Sequence, residues 1–176
     1  GGFETIKRKT VEALGGFTNK YFEGNINPFN GVMYCNFLYQ LSHYEYIRGN
    51  TTIADKVYSL NKMLHGVDLF YEISLPKHWS CEHPVGTVMG RAKYGDYFFF
   101  YQGCTVGGSW HREKLYYPTI GKGVMMYYDS KVLGNSHIGD HVILSANAYV
   151  INEDIPNNCT VFGQSPHLTV KKRLIE

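Results

Sequence analysis

Nothing in the 176 residues is apolar for long enough to cross a bilayer, and no signal-peptide pattern is present. No membrane association is therefore expected, and the expected location is the cytoplasm. Charge of one sign is also scarce. The formal net charge is +2, and the basic residues are dispersed apart from Lys171, Lys172 and Arg173, so no stripe exists that neutralises a run of phosphates. That excludes nucleic acid as a partner. The four cysteines, Cys35, Cys81, Cys104 and Cys159, show no CxxC or other metal spacing. Two disulfides would need an oxidising compartment, so free buried thiols and no metal are expected. Gly1 and Gly2 read as an appended remnant without structural weight.

Aromatic residues are abundant, with 15 Tyr and 10 Phe concentrated in part between Tyr94 and Tyr101 and at Tyr127 and Tyr128. One core rarely takes so many rings, which leaves some for a cleft or another subunit. Residues 1–66 read as a helical N-terminal segment. Ile53, Val57, Leu60 and Leu64 share one face of a helix predicted over about 52–65, with Asn50 or Thr51 as N-cap and Gly66 as its stop. A second, more buried helix is predicted within 27–47, after Pro28.

From about residue 67 the helical period gives way to a period of six. Ile120, Met126, Val132, Ile138, Leu144 and Val150 follow it without a slip, and Val124, Ser130, Ser136, Val142 and Ala148 stand four places after the first five. An earlier run of Val88, Tyr94, Phe100 and Val106 has the same spacing. Each hexapeptide makes one short strand and one corner, with the aliphatic residue in the bore and the small one at the crowded corner. Three hexapeptides close one triangular coil. The predicted fold is mainly β: a left-handed parallel β-helix over 67–170 with a short N-terminal helical segment and a 171–176 tail. The two runs are out of phase, so 107–119, which holds Trp110, His111 and Arg112, is predicted to leave the coil as an extruded loop.

The segments VD (Val67, Asp68), EHPVGTVMG (Glu82 to Gly90), YQGCTVGG (Tyr101 to Gly108), YPTIGKGV (Tyr117 to Val124), SKVLGNSHIG (Ser130 to Gly139) and VFGQSP (Val161 to Pro166) occur in this order. Over about 67–167 the chain resembles the serine acetyltransferases among the hexapeptide-repeat acyltransferases. The resemblance implies transfer of an acetyl group from acetyl-CoA to a hydroxyl, with acetyl-CoA as co-substrate and a homotrimer as the assembly. It makes His83 the general base and Asp68, fifteen residues earlier, the carboxylate that orients it. A neutral histidine suits that step at neutral pH. Glu82 stands where the family has an aspartate that holds the acceptor's amino group. The same likeness puts Gly107 and Gly108 against the thioester arm, Ala146 beside the pantetheine channel, and Lys171 and Lys172 near the nucleotide phosphates.

Two departures bear on the acceptor. Where the family has an Arg-His pair that helps bind the serine carboxylate, this sequence has Tyr116 and Tyr117, with His111 or Arg112 as candidate replacements. Tyr127, Tyr128 and Asp129 replace a Gly-Ala-Gly run beside the CoA arm. A serine acceptor is expected. A sugar hydroxyl of surface-polysaccharide synthesis is the alternative, since sugars want aromatic faces and neutral hydrogen-bond partners. A non-catalytic assembly protein is a third reading. A zinc β-helix of the γ-carbonic anhydrase type needs three convergent imidazoles, which the spacing of His137 and His141 does not supply.

Overall fold

Three helices, α1 (Gly2–Gly15), α2 (Gly31–Ile47) and α3 (Thr51–His65), precede a coil of short parallel strands in the computed structural model, which describes residues 1–174. None of these helices is long and apolar enough to cross a membrane. The periodicity of α1 is plain once it is sought: Ile6, Thr10, Ala13 and Leu14 are its buried residues, spaced for one face. Gly2 therefore belongs to a helix and not to a structureless remnant. In α2 the side chain of Asn30 caps the first turn by accepting from the N–H groups of Val32 and Met33.

The predicted helix α3 is present and stops at Gly66, whose φ of 61° supplies the left-handed cap. Its predicted apolar face is not the buried one. Ala54 and Asn61 are buried instead, and Asn61 donates to the Cys35 carbonyl at 3.1 Å. Ile53 and Leu64 are about half exposed. A small, polar face lets α3 lie close against α2, and of the predicted aliphatic stripe Ile53 and Leu64 are left outside while Val57 and Leu60 are half-buried.

The coil is a left-handed β-helix of about five turns. One face stacks Asp68–Leu69, Val88–Met89, Thr105–Gly107, Lys131–Leu133 and Tyr149–Ile151. A second stacks Trp79–Cys81, Phe98–Phe100, Met125–Met126, Ile143–Leu144 and Cys159–Gln164. The third holds Lys93–Tyr94, Thr119–Ile120, His137–Ile138 and Asp154–Ile155. All six bore residues from Ile120 to Val150 are buried, as are the five small corner residues. Each filled bore position contributes about 1.5–3 kcal/mol.

The first coil departs from the period. Val88 is exposed and Met89 fills the bore, in register with Val106. Only five positions separate Met89 from Tyr94, so the six-residue spacing drawn through Val88 is one place out. The surplus of rings is explained at the same end. Tyr39 of α2 packs edge-on against Trp79 at 5.3 Å, and Trp79 stacks with Phe100 at 6.0 Å. Helices and aromatic side chains thus plug the open end of the bore.

At the other end the chain closes with a hairpin of Cys159–Gln164 and His167–Lys172. Lys171 and Lys172 are part of this hairpin, so the expected 171–176 tail begins inside a strand; residues 175 and 176 lie outside the described residues. All four cysteines are buried and free.

Candidate active site

The corner that carries His83 is longer than those stacked on it. From Cys81 to Val88 the chain advances seven positions between the second face and the first, whereas Phe100 to Thr105, Met126 to Lys131 and Leu144 to Tyr149 are five each. The two extra residues let the chain bulge outward. His83 sits on the bulge with φ 50°, a left-handed conformation that, beyond Gly, favours Asn, Asp and His. Its carbonyl accepts the Val85 N–H at 2.7 Å. The exit is pinned where Gly86 donates to Gly66, Gly103 donates to Val85 and the Thr87 hydroxyl donates to the Tyr101 carbonyl at 2.9 Å. The backbone that presents the exposed imidazole is thereby held in place on both sides of the bulge.

Glu82 begins a ladder on the same corner. Its N–H donates to Phe100, that of Tyr101 to Met126 and that of Tyr127 to Leu144, so Glu82, Tyr101 and Tyr127 lie on successive coils. The two phenol rings stack at 5.1 Å, nearly parallel. Burial raises the Tyr101 hydroxyl above its usual range, and the charge and hydrogen bond of Glu82 add to the effect. Tyr127 is therefore occupied by Tyr101, while Tyr128 faces outward, 45% exposed.

A cleft of about 340 Å³ opens beside His83. Ser80, Cys81, Glu82 and Phe99 line it from the coil, Asn30 and Val32 from the start of α2, and Phe17 to Tyr21 from the connector between α1 and α2. A second hollow of about 660 Å³ also reaches His83 and is lined by Phe29, Leu64, His65 and Val85 among others. The contribution of residues 17–21 has no signal in the sequence, because it depends on how α1 docks on the coil.

Asp68 is not bonded to His83. Its Oδ1 accepts the Tyr58 hydroxyl at 2.9 Å and its Oδ2 accepts Lys62 Nζ at 2.7 Å. Hydrogen bonding to Asp68 raises Lys62 above its ordinary value; burial and then Asp68 raise Tyr58. The expected orienting hydrogen bond is replaced by a clamp between α3 and the first coil. Two residues four places apart on a helix share a face and reach one acceptor together, which Tyr58 and Lys62 do here. Asp68 still bears on the His83 corner through the backbone, since its N–H donates to the Thr87 carbonyl at 2.8 Å.

The extruded loop is a hairpin, Ser109–His111 with Lys114–Tyr116, turning at Arg112 and Glu113. It carries His111 and Arg112 at its tip, both exposed, and among the described residues no hydrogen bond joins either to His83 or Glu82. Tyr117 is exposed, and the nearby Arg91 guanidinium donates to Glu72 at 3.3 Å. Gly108 is explained by packing: a Cβ there would stand 2.9 Å from the Tyr117 ring and 3.0 Å from Leu115. At Gly107 a Cβ meets only Leu133 at 3.8 Å, so this backbone remains approachable. Ala146 is half buried on the corner that Tyr128 also occupies. Lys171 lies over the Phe162 ring at 5.5 Å. Among the described residues no three His, Cys, Asp or Glu side chains are grouped to hold a metal ion.

No family model matches the chain. A serine acetyltransferase of Synechococcus elongatus is 32% identical over 126 residues, 71% of this chain and 51% of the relative. One from Staphylococcus epidermidis is 29% identical over 73% of this chain and 60% of its own length, and one from Helicobacter pylori 29% identical over 77% and 79%. The chain thus spans between about half and four fifths of these curated relatives. Among solved structures, serine acetyltransferases of Vibrio cholerae and Neisseria gonorrhoeae superpose with TM-scores of 0.81 and 0.78, at 18% and 22% identity, covering 98% and 99% of this chain and 68% of each of theirs. A serine acetyltransferase solved in complex with CoA superposes at 0.71, 17% identical over 96% of this chain and 69% of its own. In sequence along the coil the chain is similar to serine acetyltransferases, and along nearly its whole length it shares their left-handed β-helix fold.

Proposed function

We propose that the chain is an acetyl-CoA-dependent O-acetyltransferase in which His83 is the general base. The observation that carries this reading is the His83 corner: an exposed imidazole on a two-residue outward bulge, fixed by its backbone and opening onto a cleft of about 340 Å³. The family likeness supplies the chemistry. Neutral His83 takes the proton of the acceptor hydroxyl as that oxygen bonds to the thioester carbonyl carbon. The carbon–sulfur bond breaks, and the departing sulfur takes the proton back from the imidazolium, so CoA leaves as the thiol and His83 returns neutral.

Asp68 serves as a positioning residue. Clamped by Tyr58 and Lys62, it fixes α3 and the strand beneath the His83 bulge. Glu82 faces the acceptor. Gly107 and Gly108, whose turn carries no side chain, and Ala146 border the CoA arm in this reading, and Lys171 and Lys172 carry charge of the sign its phosphates need. The homotrimer that the family likeness implies would let a neighbouring subunit present His111, Arg112 and Tyr117 of its hairpin to this cleft.

The acceptor we favour is the hydroxyl of a serine-like amino acid. The aromatic strip of Phe99, Tyr101 and Tyr127 favours a sugar hydroxyl as the second reading. A thiol-release assay with acetyl-CoA, offering L-serine and a panel of sugars to wild type and His83→Ala, separates them. Release with serine that the substitution abolishes is the expected result. Release only with sugars moves the acceptor to carbohydrate, and no release with any acceptor overturns the enzymatic reading.

A further inference from the structure

The connector between α1 and α2 lies outside the coil, yet it forms a wall of the cleft at His83. It is firmly seated. Phe17 packs against Tyr97 at 6.3 Å and Phe99 at 5.5 Å. Gly16 lies so near His78 that a Cβ would stand 2.9 Å from that residue's own Cβ. His78 is fixed in turn by Asp96, which accepts from its backbone N–H and pairs with its ring Nδ1, both at 2.8 Å. Asn19 closes the tip: its Oδ1 accepts the Tyr21 N–H at 2.9 Å and its carbonyl the Phe22 N–H at 3.1 Å. The segment that results carries Lys20, whose ammonium sits 4.8 Å over the Tyr21 ring.

One small cleft is therefore lined by a cation, Lys20, a carboxylate, Glu82, and the imidazole of His83. Among the described residues neither Lys20 nor Glu82 belongs to an ion pair. Opposite charges that line one hollow without pairing with each other are matched by a ligand carrying both signs. We infer that Lys20 is a specificity-determining residue that holds the carboxylate of a zwitterionic hydroxy amino acid, so that the N-terminal helical segment completes the acceptor subsite. This rests on the O-acetyltransferase reading, and it supplies the cation that Tyr116 and Tyr117 do not.

The test compares kcat/KM for L-serine and for L-serinamide, which lacks the carboxylate charge, in wild type, Lys20→Met, Lys20→Arg and His83→Ala. Wild type is expected to prefer L-serine. Lys20→Met is expected to lower the serine-to-serinamide ratio by roughly tenfold, expressed in KM, the effect of losing one charge-assisted contact to bound substrate. Lys20→Arg restores most of it. Lys20 is exposed, so its variants keep the wild-type melting temperature. An unchanged ratio in Lys20→Met, or a wild type that takes serinamide or neutral sugars as well as serine, overturns the role of Lys20 and leaves the O-acetyltransferase reading standing. Full activity in His83→Ala, or no thiol release by wild type with any acceptor, overturns that reading and the inference with it.

Discussion

Replacing Asp68 by Asn separates two ways in which this carboxylate can serve the site. The amide oxygen still accepts from the Tyr58 hydroxyl, so the bond at 2.9 Å survives. What is lost is the ion pair with Lys62 at 2.7 Å, whose side chains are 27% and 53% exposed. Pairs this open to solvent contribute at most about 1 kcal/mol. For a chain of this size that is a fall of about 2–4 °C in melting temperature. Because the carboxylate is not bonded to His83, kcat should fall by less than about tenfold. A carboxylate that did fix the tautomer of a catalytic histidine would cost about 10⁴-fold when made an amide. Thermal melts and thiol-release kinetics on the same preparation give both numbers. A collapse of kcat approaching 10⁴-fold at an unaltered melting temperature would refute the reasoning, because it would mean that Asp68 acts on the imidazole directly.

Gly121→Ala should lower stability by about 1–3 kcal/mol through overpacking, because the new Cβ would lie 2.6 Å from the Gly139 carbonyl carbon; denaturant unfolding measures it. Phe17→Ala removes a half-buried ring that seats the connector, with an expected loss of about 1–2 kcal/mol and a raised acceptor KM while kcat is kept within a few-fold. Burial alone would raise the Asp96 carboxyl, but hydrogen bonds from the His78 ring and backbone outweigh it and hold it below its ordinary value of 3.8. Its stabilising contribution is thus present above about pH 4 and lost as the pH falls through the lower folded value. Asp96→Asn should flatten that acid limb in a series of urea melts between neutral pH and pH 2. Sedimentation equilibrium should give a trimer mass, and an active monomer would remove the neighbouring hairpin from the site.

The coil was legible because its period is a packing rule: every sixth side chain from Ile120 to Val150 must fill the same bore. The rule fails where the geometry changes. Around Val88 and Met89 the first coil has a long corner on one side and a short one on the other, and a fixed spacing picks the wrong neighbour. The same long corner is what makes His83 distinctive, and it appears in the sequence only as a lost phase. In α3 the aliphatic spacing located the helix but not its buried face, since a close approach to α2 selects Ala54 and Asn61 over larger residues. The resemblance likewise paired Asp68 with His83 without revealing that Tyr58 and Lys62 claim both its oxygens. Residues 17–21 left no trace, because a loop's place against a distant strand is set by tertiary docking alone.

The central claim is that His83 moves the proton. Its most direct test is the turnover number for thiol release by His83→Ala, saturated with acetyl-CoA and with the acceptor that wild type prefers. The account predicts a loss of about 10²–10⁴-fold, the usual contribution of a general base, at a melting temperature within about 2 °C of wild type, since the side chain is exposed. Turnover within tenfold of wild type in a folded His83→Ala protein would contradict it.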